Sequence, residues 1–159
     1  MASTLTVDNI EGATTSTLVK VPGHVINSAT HSDGTQITVS STGVNTIMTM
    51  NYTPVSSTSK LHIHFVAPRY SSAGGTWGGS GQLYIYQDGV QVWTGEHDGT
   101  ITNEAQSLTY TGHYVSGNLT AGQQYAFSIR YNNTVGYSQT TNFNRSPRKT
   151  TMTILEIED

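Results

Sequence analysis

In Lys60–Val66 (KLHIHFV) apolar and polar side chains alternate with a period of two, and the same rhythm returns in Gln82–Gln87 and Val90–Thr94. Successive side chains of a β-strand point to opposite faces, so this spacing puts Leu61, Ile63 and Phe65 on one side and His62, His64 and Val66 on the other. Asp88-Gly89 separates the second run from the third. An Asp-Gly pair tolerates positive φ at both central positions of a turn and predicts a tight hairpin. No window shows the i, i+3, i+4 recurrence of an amphipathic helix. Further strands are expected at Val25–Thr30, Thr35–Ser40, Asn45–Tyr52, Gln106–Tyr114, Gln123–Tyr131 and Thr150–Glu156, with Gly, Pro and Asn turn signals between them. The pattern predicts an all-β fold, an antiparallel sandwich or barrel.

The chain has 159 residues, enough for one domain with a real hydrophobic core. It contains no cysteine, which removes disulfide frameworks, thiol catalysis and Cys-based zinc sites. Charged residues make up 11%, less than half the usual share, and the net charge is −3. Without a basic field, nucleic-acid binding lacks its main driving force and is not expected. No signal-peptide pattern opens the chain and no apolar run reaches the ~18 residues of a membrane helix, so membrane insertion is not expected either.

The segment Ala2–Val25 is polar, Thr-rich and ends in Val-Pro-Gly before the strands begin. It can bury little apolar surface alone. Residues 1–24 therefore read as an assembly arm and residues 25–159 as the head domain. Leu5, Val7, Ile10, Val19 and Val21 are the arm's candidate contacts, adding a strand to a neighbour's sheet edge. Two stretches break the strand rhythm: Ser71–Gly81, rich in Gly and Ser, and Asn132–Arg148, long and polar. Such loops usually serve function or interfaces. Tyr70, Trp77 and Tyr137, in or beside them, are candidate contacts to a host receptor or surface glycan. Tyr84, Tyr86 and Trp93 lie in strands and are expected in the core or on an oligomer axis. Arg145, Arg148 and Lys149 supply three of the seven positive charges and form a candidate docking cluster for an acidic neighbour.

Two resemblances extend this reading. From Leu83 to Asp98 the chain runs strand, Asp-Gly turn, strand with a central Trp. A Leu119-Thr-Ala-Gly-Gln123 corner, the strand YAFSIRY and a final strand TMTILEIE follow. This order resembles the jelly-roll heads of the complement C1q and tumour necrosis factor type, with Gln123 or Gln124 where that family often has Asp. The resemblance implies a jelly-roll sandwich and a homotrimer. Earlier in the chain, STLTVDNIEGATT (Ser3–Thr15), VKVPGHVI (Val19–Ile26) and SSTSKLHIHF (Ser56–Phe65) resemble small virion proteins of tailed phages, particularly those of marine and cyanobacterial hosts. This second resemblance implies localisation on the virion and contact with other virion proteins of the fibre, tail or capsid.

Three chemistries bear on these residues. His62 and His64 share a strand face, as metal-ligating His-x-His pairs do, yet no third ligand stands near them in sequence. The chain contains no G-x-S-x-G elbow. Its acidic residues Asp88, Glu96, Asp98 and Glu104 cluster at one hairpin rather than flanking a groove as a host-polysaccharide hydrolase requires. No catalytic residue, cofactor or resident metal is expected. The sequence thus predicts a non-enzymatic structural protein, a trimeric tail-fibre or receptor-binding head, with a trimeric capsid decoration (cement) protein as the alternative and a host-polysaccharide hydrolase as a third, less favoured reading.

Overall fold

The computed structural model describes residues 23–40, 42–71, 81–98, 106–133 and 141–159. Ten strands run through them: β1 (Val25–Asp33), β2 (Ile37–Val39), β3 (Gly43–Tyr52), β4 (Ser59–Ser71), β5 (Gly81–Gln87), β6 (Val90–Asp98), β7 (Gln106–Val115), β8 (Tyr125–Asn133), β9 (Thr141–Phe143) and β10 (Thr150–Glu158). They form two antiparallel sheets. The first has the order β1-β10-β4-β9-β2, with β7 also on β4; the second has the order β3-β8-β5-β6. The fold is an all-β, two-sheet antiparallel sandwich.

The branching of the first sheet follows from the length of β4. Its residues Ser59–Val66 pair with β10 and Arg69–Ser71 pair with β9, while His62–Ser71 pair with β7. A strand has two edges, so β10 and β9 occupy one edge in succession. β1 beside β10 and β2 beside β9 repeat that split one position further out. The sheet is thus four columns wide.

The core follows the sequence alternation. Leu61, Ile63 and Phe65 of β4 and Met152 and Ile154 of β10 are buried, opposite Ile47, Leu83, Ile85, Phe127, Ile129 and Tyr131 of the second sheet. Phe65 meets Trp93 of β6 edge-on, with ring centroids 5.5 Å apart and planes at 80°. That contact exists because position 112 of β7 is glycine: a Cβ there would lie 2.2 Å from Phe65 and 2.9 Å from Trp93. The Asp88-Gly89 hairpin forms as expected, with φ of 49° and 84°. Asp88 also ties the turn to β8, its carboxylate accepting from the Ala126 N–H at 2.8 Å.

Two elements exceed the sequence expectation. β4 continues past Val66 to Ser71 through Pro68, which falls in the gap between the β10 and β9 pairings, where a residue without an N–H is tolerated. β9 lies inside the stretch expected to be loop. Its three residues pair with β2 on one edge and β4 on the other. Asn144, fully buried at φ 59°, ends it: its side-chain amide donates to the Thr35 carbonyl, and its oxygen accepts from the Thr150 N–H. One asparagine thereby joins the β1–β2 turn, the end of β9 and the start of β10.

Candidate functional site

The two outer faces differ in chemistry. On the second sheet, Tyr84, Tyr86, Ser128, Arg130, Thr46 and Thr49 point outward in register. Arg130 lies 4.1 Å above the Tyr86 ring, and the Tyr84 hydroxyl donates to Gln82 at 2.8 Å. Tyr84 and Tyr86 are therefore not core residues; they lie half-buried on the outer face beside their neighbours on β8. Of the three strand aromatics, only Trp93 turns inward, half-buried against Phe65.

The outer face of the first sheet is largely neutral and partly apolar. β10 contributes Thr151, Thr153, Leu155 and Ile157; β4 contributes Lys60, His62, His64 and Val66; β7 contributes Thr111, His113 and Val115. Val25 of β1 stands beside Ile157. Val25, Val66 and Val115 are about 40% exposed: 43%, 43% and 38%. The hydroxyls of the β1–β10 half satisfy one another, Thr30 with Thr153 at 3.0 Å and Ser32 with Thr151 at 2.9 Å.

His113 sits directly across from His64, a neighbour the sequence spacing could not reveal. The two rings stack at 4.3 Å with planes 13° apart, and His62 stacks on His113 at 5.4 Å and 27°. Burial, and then the neighbouring His113 and His62, hold the His64 imidazole below its ordinary pKa. The nitrogen lone pairs of an imidazole lie in the ring plane, so parallel rings do not converge on one ion. Among the described residues no group of three or more His, Cys, Asp or Glu is placed to hold a metal ion.

At the far end of this face two expectations meet. Tyr70 is half-buried on β4, and the Arg145 guanidinium lies 4.1 Å above its ring. A candidate receptor contact and a candidate docking cation form one cation–π pair. Arg148 donates to the Ser107 hydroxyl, and Lys149 runs past Gly34; all three cations are exposed. Trp77, Tyr137, Leu5, Val7, Ile10, Val19 and Val21 lie outside the described residues, as does Glu104. The described chain takes up at Gly23, whose N–H donates to the Glu158 carbonyl at 2.7 Å, so residues 23 and 24 already run along β10.

Arg69, Glu156 and Glu158 are buried charged groups that carry no signal in the sequence pattern. Glu156 of β10 is fully buried and accepts from the Tyr52 hydroxyl at 2.9 Å, the Val55 and Ser56 N–H groups at 3.0 and 2.9 Å, and the Ser59 hydroxyl at 2.6 Å. Its acceptor sites are committed to pinning the 53–58 connection, so it anchors structure and has no free lone pair for catalysis. Burial, and then hydrogen bonding to Glu156, push the Tyr52 phenol pKa well up. Arg69, 2% exposed on the inner side of β4, donates to the Tyr110 and Ser71 hydroxyls, both at 2.8 Å. Its guanidinium lies 5.5 Å from the Tyr131 ring centre.

No protein-family model matches the chain, and no curated protein sequence matches it. Among solved structures, the crystal structure of dimeric latent PorU from Porphyromonas gingivalis is similar, with a TM-score of 0.51 and 9% identity over 93% of this chain. The match covers only 14% of that much longer chain, and a likeness at this identity is one of fold alone.

Proposed function

We propose that the chain is a non-enzymatic structural subunit of a phage virion, a jelly-roll head that assembles as a homotrimer and serves as a tail-fibre or receptor-binding head. The observation that carries the reading is strand order. With the short strands merged into their columns, β1-β10-β4-β7 packs on β3-β8-β5-β6, an order consistent with a double-sheet jelly roll. This is the head that the chain's second half resembles, and the resemblance of Ser3–Phe65 to tailed-phage proteins supplies the virion. Residues 1–24 attach the head to its neighbours. The committed lone pairs of Glu156 fit a structural role better than hydrolysis.

A second reading, a trimeric capsid decoration protein, draws support from Arg145. Its guanidinium covers one face of the Tyr70 ring, and with Arg148 and Lys149 it offers an acidic shell a grip. Antibody labelling of intact particles separates the two. Label at the tail alone fits the fibre head, and label spread over the shell fits decoration. Release of sugar from host envelope polysaccharide by the purified chain would overturn both.

A further inference from the structure

We propose that β7 is an acid-sensitive edge strand: protonation of His62, His64 and His113 loosens its Thr111–Val115 half from β4 while the rest of the sandwich stays formed. The device belongs to the single chain and does not rest on the proposed function.

β7 is held from one side. It pairs with β4 along Gln106–Val115, and among the described strands none takes its other edge. Side chains tie down its first half: Arg69 donates to the Tyr110 hydroxyl, and Arg148 donates to the Ser107 hydroxyl. The second half has less to hold it. Gly112 brings no side chain to the core, and Tyr114 is only partly buried. β10, on the other edge of β4, buries Met152 and Ile154 completely. An edge segment with few buried contacts opens before the core strands do. Just past β7 the Ser116 N–H donates to the Leu61 carbonyl at 2.9 Å. Ladder bonds of an antiparallel pair fall on alternate residues, so Gly112 and Tyr114 bond to β4 and His113 does not. His113 and His64 therefore form a non-hydrogen-bonded pair, the kind whose side chains stand closer.

The three imidazoles meet across this weak half. His113 stacks on His64 at 4.3 Å and on His62 at 5.4 Å. Like charges directly opposite one another weaken a strand pair. No described carboxylate is placed to offset them. On β4 the other charged group of this face is Lys60, itself a cation, ion-paired with Asp159, while Arg69 points inward. On β7 the remaining titratable groups, Tyr110 and Tyr114, pack toward the core. β10 sets Thr153 and Leu155 opposite His64 and His62, with Glu156 and Glu158 buried in the sandwich. On β1, His31 and Asp33 lie on the opposite face from Thr30 and Ser32. Charging is thus resisted while β7 is paired and eased when it opens. The lowered pKa of His64 agrees, with burial as its first cause and His113 and His62 next. Pairing is at full strength above the ordinary imidazole pKa and weakens as pH falls below it.

The test is amide hydrogen exchange, followed by NMR on the full chain in chelator at pH 7.5 and pH 5.0 and corrected for intrinsic rates. Protection at Gly112 and Tyr114 should fall about fivefold or more at pH 5.0, while Leu108, Tyr110 and the β8 amides change by less than about twofold. Salt at about 0.5 M should restore part of the loss, because exposed charges are screened. A His62→Gln/His64→Gln/His113→Gln chain should keep its protection at pH 5.0. His113→Gln alone, at an exposed position where the fold is not at risk, removes the ring on which the other two stack and should keep most of it. Protection at Gly112 and Tyr114 that ignores pH, or falls in step with β8, overturns the acid-sensitive edge. A loss that persists in both variants overturns the imidazoles as its cause.

Discussion

Glu156 stands in TMTILEIE at a position where the strand rhythm asks for an apolar side chain, and its burial depends wholly on the hydrogen bonds that meet it. Glu156→Gln replaces an acceptor oxygen with an amide that faces donors. The substitution should cost about 2–3 kcal/mol in urea unfolding, read as a lower midpoint at unchanged slope. Tyr52→Phe removes one donor and leaves the others, so its cost should be nearer 1 kcal/mol. His64 makes a second residue-scale case. Its pKa is lowered, so whatever it contributes is present at neutral pH and is lost as pH falls below the ordinary imidazole value. In an NMR titration His64 should protonate at lower pH than a free imidazole. His113→Gln should move it part of the way back, because the electrostatic contribution of His113 is removed while burial, the larger cause, remains. A titration of His64 at or above the ordinary value would contradict the stacked geometry.

Elements were legible where one period dominates. KLHIHFV and QLYIYQ each have one inward phase, and Leu61, Ile63, Phe65, Leu83 and Ile85 are buried as the alternation predicts. The Asp88-Gly89 hairpin also forms, but a register shift between β5 and β6 sets Trp93 opposite Ile85 and turns it inward, against the expected phase of Val90, Val92 and Thr94. TMTILEIED was ambiguous, because Met152 and Ile154 fit one phase and Leu155 and Ile157 fit the other. Pairing decides it: β10 lies against β4 with Met152 opposite Phe65 and Ile154 opposite Ile63, which turns Leu155 and Ile157 outward. β9 was hidden because a three-residue strand shows too little period to read, and its position is set by distant partners on β2 and β4. The glycine of β7 was hidden likewise, since nothing near it in sequence announces Phe65 and Trp93. Gly112→Val should drive a side chain into that contact and destabilise the sandwich by about 2–3 kcal/mol, with loss of the near-ultraviolet Trp signal before the β-sheet signal. A stability within experimental error of wild type would mean that the Phe65–Trp93 contact is not as described.

At the scale of the whole molecule, the sequence pattern carried the sandwich but not the difference between its outer faces. Alternation says which residues avoid the core; it does not say that three histidines on two strands separated by about fifty residues of chain will stack, because register is a long-range property. The polar arm and the loop aromatics were legible only as composition. Tyr70 acquired a partner, Arg145, that no local pattern suggested. On the proposed function, the molecule is a head that meets its own copies and is attached to its neighbours by residues 1–24. The most direct measurement is a density map of the intact virion with this chain placed in it. Threefold-related copies are expected at the tail, with residues 1–24 running into a neighbouring protein. Copies that stand singly, or particles from which the chain is missing, would contradict the proposed function.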